Sequence, residues 1–192
     1  MRTFALVSCL LLAGCEATSF QASPVADAGC DPALAGTWLS VDEKSDGKDD
    51  GEVELRIDAQ CQLLFVENEK SGRKEGLPTQ LHMGRDGEAR YLWVDADWAK
   101  QRFEIKDTAA PSGDIYLLRY AVAKDTLTLE LPDDRAVAHR IVDGKIRGET
   151  HKTQNSLTNR LLAPVDPAAL REAGFFDGDK GVLRRATTKK KR

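Results

Sequence analysis

The sequence predicts a mainly β fold, either a curved antiparallel sheet or a small barrel, with two short helices; an α+β fold is the alternative. Apolar and polar residues alternate with a period of two over residues 53–57 and 126–131, which is typical of strands with one face in water. Two short segments are the exceptions, residues 135–143 and 167–173, because a capping aspartate precedes each and a glycine follows.

The first predicted strands flank an acidic loop. Residues 36–41 alternate as a strand, and residues 53–57 and 62–67 form a hairpin. Between them, residues 42–52 contain six acidic residues together with turn-forming residues. This loop does not fit a calcium site of the EF-hand type, because a lysine and a valine stand where oxygen ligands are required. We predict a solvated loop.

The middle of the chain adds an edge strand and an aromatic strand. Residues 68–76 are a polar loop, and residues 77–83 form an edge strand in which Pro78 is tolerated near the start. Residues 89–95 are apolar on both faces, which predicts burial on both sides, or one core face and one face that lines a cavity or meets a partner. Residues 99–113 are predicted to be mostly loop.

A hairpin and two helices complete the predicted domain. Residues 115–131 form the clearest hairpin of the chain, and residues 145–153 and 181–185 are further strands. The first helix begins near Arg135 and is capped by one of the two aspartates before it. The second helix covers residues 167–173 and has proline at its favoured first position.

The first fourteen residues have the composition of an export signal. Arg2 is followed by an apolar run over residues 4–13, which is too short for a membrane helix, since a bilayer core of roughly 30 Å needs about 20 apolar residues. Residues 1–14 are therefore predicted to be a signal peptide that directs the chain out of the cytoplasm.

The end of that run, Leu12-Ala13-Gly14-Cys15, resembles the lipobox of bacterial lipoproteins. The resemblance implies cleavage before Cys15, a diacylglyceryl group on its sulfur and an acyl chain such as palmitate on its nitrogen. An ordinary secretory signal with a chance cysteine is the alternative. Because two or more acyl chains hold a protein stably on a membrane, lipidation predicts an anchored envelope protein. Glu16 argues against the inner-membrane retention that aspartate gives in some bacteria, and so favours the outer membrane, facing the periplasm.

The mature chain divides into a tether, a domain and a tail. Residues 15–29 are small and polar, and we predict a lipidated flexible tether there. Residues 30–187 are long enough for a single β-rich domain with its own core. Residues 188–192 form a basic tail, predicted either to contact anionic lipid or cell-wall polymer or to be a solvated terminus.

The charge of the chain is unevenly distributed. The formal net charge is −3, but Arg2 and six basic residues of 184–192 leave 21 basic against 31 acidic residues for 16–183, a net charge of −10. An acidic body, together with export, argues against nucleic acid as a partner. The same charge would complement a basic protein.

Two cysteines remain once the signal and the lipidated residue are set aside, namely Cys30 and Cys61. In an oxidising compartment such a pair is most simply a structural disulfide. A redox or metal pair is the alternative, but the spacing is far from Cys-x-x-Cys and no histidine lies nearby in sequence.

The first strand carries a second resemblance. Gly36-Thr37-Trp38 resembles the first strand of lipocalin and calycin barrels, in which the tryptophan closes the floor of the barrel. The body is thus similar to small lipocalin-like envelope lipoproteins. With the aromatic strand, this resemblance implies a ligand or partner surface that includes Trp38, Tyr91 and Trp93.

The sequence contains no catalytic arrangement, and we expect neither an enzyme nor a cofactor. His82, His139 and His151 are scattered without metal-ligand spacing, so no metal site is predicted. One hypothesis is a non-catalytic envelope protein that acts by protein interaction, such as an inhibitor or a protective factor. The alternative is a carrier that holds a small apolar ligand in a barrel cavity.

Overall fold

The structure, a computed structural model, describes residues 16–41, 52–69, 72–103 and 110–186, which form one large curved sheet with three helices. The predicted signal, Cys15, most of the acidic loop and the basic tail lie outside the described residues. The strands are β1 (Glu16–Phe20), β2 (Gly36–Ser40), β3 (Glu52–Ile57), β4 (Gln62–Glu69), β5 (Gly72–Glu75), β6 (Thr79–Gln80), β7 (His82–Asp86), β8 (Ala89–Asp95), β9 (Ile115–Ala123), β10 (Thr126–Glu130), β11 (Gly148–Lys152), β12 (Leu157–Leu161) and β13 (Lys180–Arg185).

The mainly β prediction is confirmed. The strands are ordered β11-β12-β1-β9-β10-β13-β2-β3-β4-β5, while β6 pairs with β4, and β7 reaches β9 through β8. All pairs are antiparallel except β1 with β12. The predicted hairpins β3–β4 and β9–β10 are both present. The predicted polar loop at 68–76 is partly wrong, because β5 forms there as an edge strand.

The alternative of a closed barrel is wrong. The predicted edge strand at 77–83 is divided at Leu81, so that β6 pairs only with β4, and β7 pairs only with β8. No continuous ladder therefore joins β4 to β8. The backbone N–H of Ala28 donates to the Met83 carbonyl over 2.7 Å, so a loop residue takes a backbone acceptor of β7 that a closing strand would need.

The predicted flexible tether is also wrong over its described residues. Residues 16–20 form β1, and all five are paired with β12. Phe20 and Val25, which look like isolated apolar residues in the sequence, are 0% and 7% exposed. The segment is therefore part of the folded domain, because its apolar side chains are buried in a core that sequence-distant residues build.

The three helices are α1 (Ala96–Arg102), α2 (Asp134–Val142) and α3 (Pro167–Leu170). The last two confirm the predicted helices, and their caps are Asp133 and Asp166. The first was predicted as loop for most of its length, and its cap is Asp95, the last residue of β8. Among the described residues, no helix is long and apolar enough to cross a membrane.

The sheet has a core on each face. The inner core fills the concave face and includes Trp38, Leu92 and Leu118. The outer core lies between the strands around β8 and the C-terminal helices, and it includes Tyr91 and Leu117. Because successive strand residues point to opposite faces, β8 and β9 supply side chains to both cores.

The predicted disulfide is confirmed. Cys30 and Cys61 are bonded, their Cα atoms are 5.5 Å apart, and 31 positions separate them in sequence. The bond joins the chain that enters β2 to the turn between β3 and β4. In the chain-entropy description, closure of a loop of this length stabilises the fold by about 3–4 kcal/mol.

Candidate functional site: an apolar cavity in the inner core

The concave face of the sheet holds a cavity of about 60 Å³. Every side chain that lines it is aliphatic or aromatic, so the site offers a ligand neither a charge nor a side-chain hydrogen bond. Strands from across the sheet contribute, together with one helical residue, Trp98. The lining residues are Leu55, Ile57, Leu63, Phe65, Leu81, Leu92, Val94, Trp98, Leu118, Leu127, Leu129 and Leu183.

Trp38, Arg185 and the backbone of residues 33–36 close the inner core. This group of residues is referred to as the floor. Trp38 is 0% exposed, and its indole N–H donates to the Leu34 carbonyl over 2.7 Å. The guanidinium of Arg185 stacks on the Trp38 ring, with its carbon 4.1 Å from the ring centroid. The same guanidinium donates to the carbonyls of Ala33 and Ala35. A cation–π contact and two hydrogen bonds therefore fix the tryptophan beneath the sheet.

Gly36 is required by this floor. Its φ is +139°, in a region that L side chains rarely adopt, and a Cβ there would collide with Nη1 of Arg185. The glycine of the Gly-x-Trp sequence thus makes room for the arginine that holds the tryptophan.

The buried Tyr120 holds in place the residues that lead into the floor. The hydroxyl of Tyr120 donates to Oδ2 of Asp31 over 2.9 Å, next to the disulfide at Cys30. Burial, followed by the hydrogen bond to Asp31, raises the pKa of Tyr120. The hydroxyl therefore remains a donor at neutral pH and holds the residues that enter β2.

Helix α1 supplies the one lining residue of the cavity that is not buried. Trp98 lines the cavity while remaining partly exposed, and its indole N–H donates to the Leu77 carbonyl over 2.9 Å. Leu77 is itself 59% exposed.

Hydrogen bonds from Lys100 and then Ser112 lower the pKa of Asp97 in the first turn of α1. This carboxylate therefore stays ionised and ties the helix to the following loop.

A buried arginine stands behind one cavity wall. The guanidinium of Arg102 lies 4.5 Å from the ring centroid of Phe65 and 5.4 Å from that of Phe103, and it pairs with Glu67 at 3.1 Å. A Cβ on Gly76 would come within 2.6 Å of Arg102 Nε. Close packing of this arginine fixes the Phe65 wall.

The structure does not place Trp38, Tyr91 and Trp93, the predicted ligand or partner surface, on one exposed face or at the cavity. All three are buried, Trp38 in the inner core and the other two in the outer core. None of them lines the cavity; Leu92 and Val94, on the opposite face of β8, do. The sequence of β8 indicates which side chains share a face of the strand, but it does not indicate which of the two faces lies on the concave side of the sheet.

The three histidines lie on separate elements of the fold. His82, on β7, pairs with Asp27 at 2.7 Å; His139 belongs to α2 and His151 to β11. Within the described ranges, no three histidine, cysteine, aspartate or glutamate side chains come together as metal ligands.

The chain matches no protein-family model, no curated protein and no solved structure. The class of site, an apolar cavity in an open, curved β-sheet, therefore rests on the geometry alone.

Proposed function

We propose that this protein is a lipid-anchored envelope protein that binds a small apolar group in the cavity of its inner core, without catalysis. The observation that carries the proposal is the cavity itself, which is lined only by apolar side chains inside a curved sheet with a braced floor. The anchor is proposed at Cys15, with the domain on the periplasmic side of the outer membrane. The Gly-x-Trp floor supports the proposed likeness to lipocalin-like carriers.

The size of the cavity limits the ligand. An apolar cavity of about 150 Å³ accommodates benzene, so about 60 Å³ admits only a narrower group such as the end of a hydrocarbon chain. Trp98 is the one lining residue that is partly exposed, so the rest of a larger ligand would extend outward beside it. Affinity comes from burial of apolar surface, roughly 25 cal/mol per Å², and specificity from the width of the cavity.

Substitutions at two neighbouring residues of β9 test the cavity. Leu118 lines it, whereas Leu117 is 1% exposed, belongs to the outer core and does not line it. Leu118→Phe is expected to leave stability unchanged within about 1 kcal/mol, and Leu117→Phe to cost about 1–3 kcal/mol through overpacking. Chemical denaturation measures both free energies of unfolding.

Ligand binding is measured on the same two variants. Titration of the wild-type protein with medium-chain alkyl probes, followed by tryptophan fluorescence, to which Trp98 contributes from the cavity wall, is expected to show saturable binding that Leu118→Phe abolishes and Leu117→Phe preserves. Equal destabilisation by the two variants, or binding unaffected by Leu118→Phe, would remove the basis for a carrier.

A second candidate function is interaction with a basic protein, for instance as an inhibitor or protective factor. The net charge of −10 over residues 16–183 favours it, because complementary charge accelerates association and selects partners. We expect capture of a basic envelope protein from periplasmic extract at low salt and its release near 0.5 M salt, where the Debye length falls to about 4 Å. A column carrying an unrelated domain of equal charge is the control; equal capture on both would count against this function.

A further inference from the structure

The first described strand begins one residue after the proposed lipidation site. Glu16 pairs with Leu157 in the β1–β12 ladder, and Thr18, Ser19 and Phe20 are all buried. Adjacent Cα atoms are about 3.8 Å apart, so an anchor on Cys15 would be joined to the sheet without a spacer. The domain would then have to meet the membrane with the surface that surrounds Glu16.

The strand register identifies this surface. Because β1 and β12 are parallel and Glu16 pairs with Leu157, the start of β1 lies beside the end of the β11–β12 turn. This turn, residues 153–156, reads Thr-Gln-Asn-Ser, and its first three residues are exposed. On helix α2, which contacts β1, β11 and β12, the guanidinium of Arg135 pairs with Glu16 at 3.1 Å.

Two basic side chains at this turn suit a phospholipid surface. Lys152 is the basic residue of β11 that adjoins the turn, whereas Arg147 and Arg160 lie toward the opposite end of the β11–β12 hairpin, where Arg160 pairs with Asp114. Lys152 is exposed at the turn, and the side chain of Arg135 is 77% exposed despite its contact with Glu16. Each basic residue near an anionic membrane contributes about 1 kcal/mol of attraction.

We infer that the β11–β12 turn, with Lys152 and Arg135 beside it, is the face of the anchored protein that rests on phospholipid headgroups. This inference rests on the proposed lipid anchor at Cys15. The turn carries no acidic or apolar side chain, so it lies among the headgroups and does not insert into the hydrocarbon. The anchored domain accordingly has one preferred orientation on the membrane.

The experiment uses the full chain, exported and processed, in vesicles of phosphatidylethanolamine and phosphatidylglycerol that include a lipid with a nitroxide quencher on its headgroup. Mass spectrometry first establishes acylation of Cys15. Asn155→Trp places a fluorophore on the turn; Lys74→Trp, on the exposed edge strand β5 at the other end of the strand order, is the matched control. After subtraction of wild-type fluorescence, the added tryptophan at 155 is expected to lose most of its emission to the headgroup nitroxide, and that at 74 to keep most of its emission.

A linker variant separates the short anchor from intrinsic affinity for lipid. A Gly-Ser insertion of about eight residues between Cys15 and Glu16, with a span of roughly 15 Å, is expected to restore the emission at 155. Acylated protein quenched equally at both positions, or more at 74, would overturn the orientation while leaving the anchor intact. A mass without acyl chains would instead overturn the anchor, and the inference with it.

Discussion

Trp38→Ala is expected to lower the free energy of unfolding by about 3–5 kcal/mol, the range for loss of a fully buried tryptophan. The change removes an indole that is 0% exposed and opens a cavity at the floor. It also leaves Arg185 without its aromatic partner, so the arginine retains only its bonds to the carbonyls of Ala33 and Ala35. Denaturant titration followed by circular dichroism measures the loss.

The matched control removes the same kind of side chain at Trp98, which lines the cavity and is less buried than Trp38. Trp98 is partly exposed, so Trp98→Ala is expected to cost less than half as much as Trp38→Ala. If Trp38→Ala does not fold, Trp38→Phe keeps most of the ring and still loses the indole hydrogen bond to Leu34. Equal losses from the two alanine variants would contradict a floor held by Trp38.

The sequence predicts those parts of the fold whose signal is local. Strands such as β3 and β10 alternate because one of their faces is buried, and that pattern is visible within five or six residues. The helix caps at Asp133 and Asp166 are equally local. Trp38 could be placed at the floor because Gly-x-Trp is a contiguous motif, but Arg185, which lies almost 150 residues later, carries no signal that connects it to that motif.

The remaining features depend on partners that are distant in sequence. Strand β1 has no periodic pattern of its own, and it is ordered because β12 supplies its hydrogen bonds and the outer core buries Phe20. Helix α1 continues directly from β8 without a glycine or proline between them, so its start could be recognised only from the cap at Asp95. Likewise, the concave face of β8 is decided by the curvature of the whole sheet, which short-range alternation does not specify.

The stability of the protein is expected to decrease between about pH 4 and pH 7 because of one carboxyl group. Burial, and then the nearby charges of Glu16, Asp133 and Asp179, raise the pKa of Asp134 from 3.8 to about 7, although the Thr18 hydroxyl donates to it over 2.6 Å. In this pH window the folded state holds a proton that the unfolded chain has lost, so each added pH unit disfavours folding.

The magnitude follows from the size of the shift. A pKa difference of about three units corresponds to about 4 kcal/mol in the free energy of unfolding. This contribution to stability is fully present below pH 4 and is lost by about pH 7. Asp134 is the first residue of α2, where the helix dipole favours an ionised carboxylate, but that effect is about 0.3–1 kcal/mol near the surface and at most about 2 kcal/mol when partly buried. Desolvation is therefore the larger effect, so the pKa of Asp134 stays above its ordinary value in spite of the helix dipole.

Asp134→Asn tests this expectation because asparagine keeps an oxygen for the Thr18 hydroxyl and cannot ionise. Relative to the wild type, the variant is expected to gain stability as the pH rises from 4 to 8, reaching an advantage of several kcal/mol. Asp143→Asn, at the exposed opposite end of α2, is the control and is expected to show no such gain. Urea denaturation at each pH measures the difference between variant and wild type. A difference that stays constant with pH would show that Asp134 is ionised in the folded protein throughout this range, and that the network around Thr18 offsets its burial.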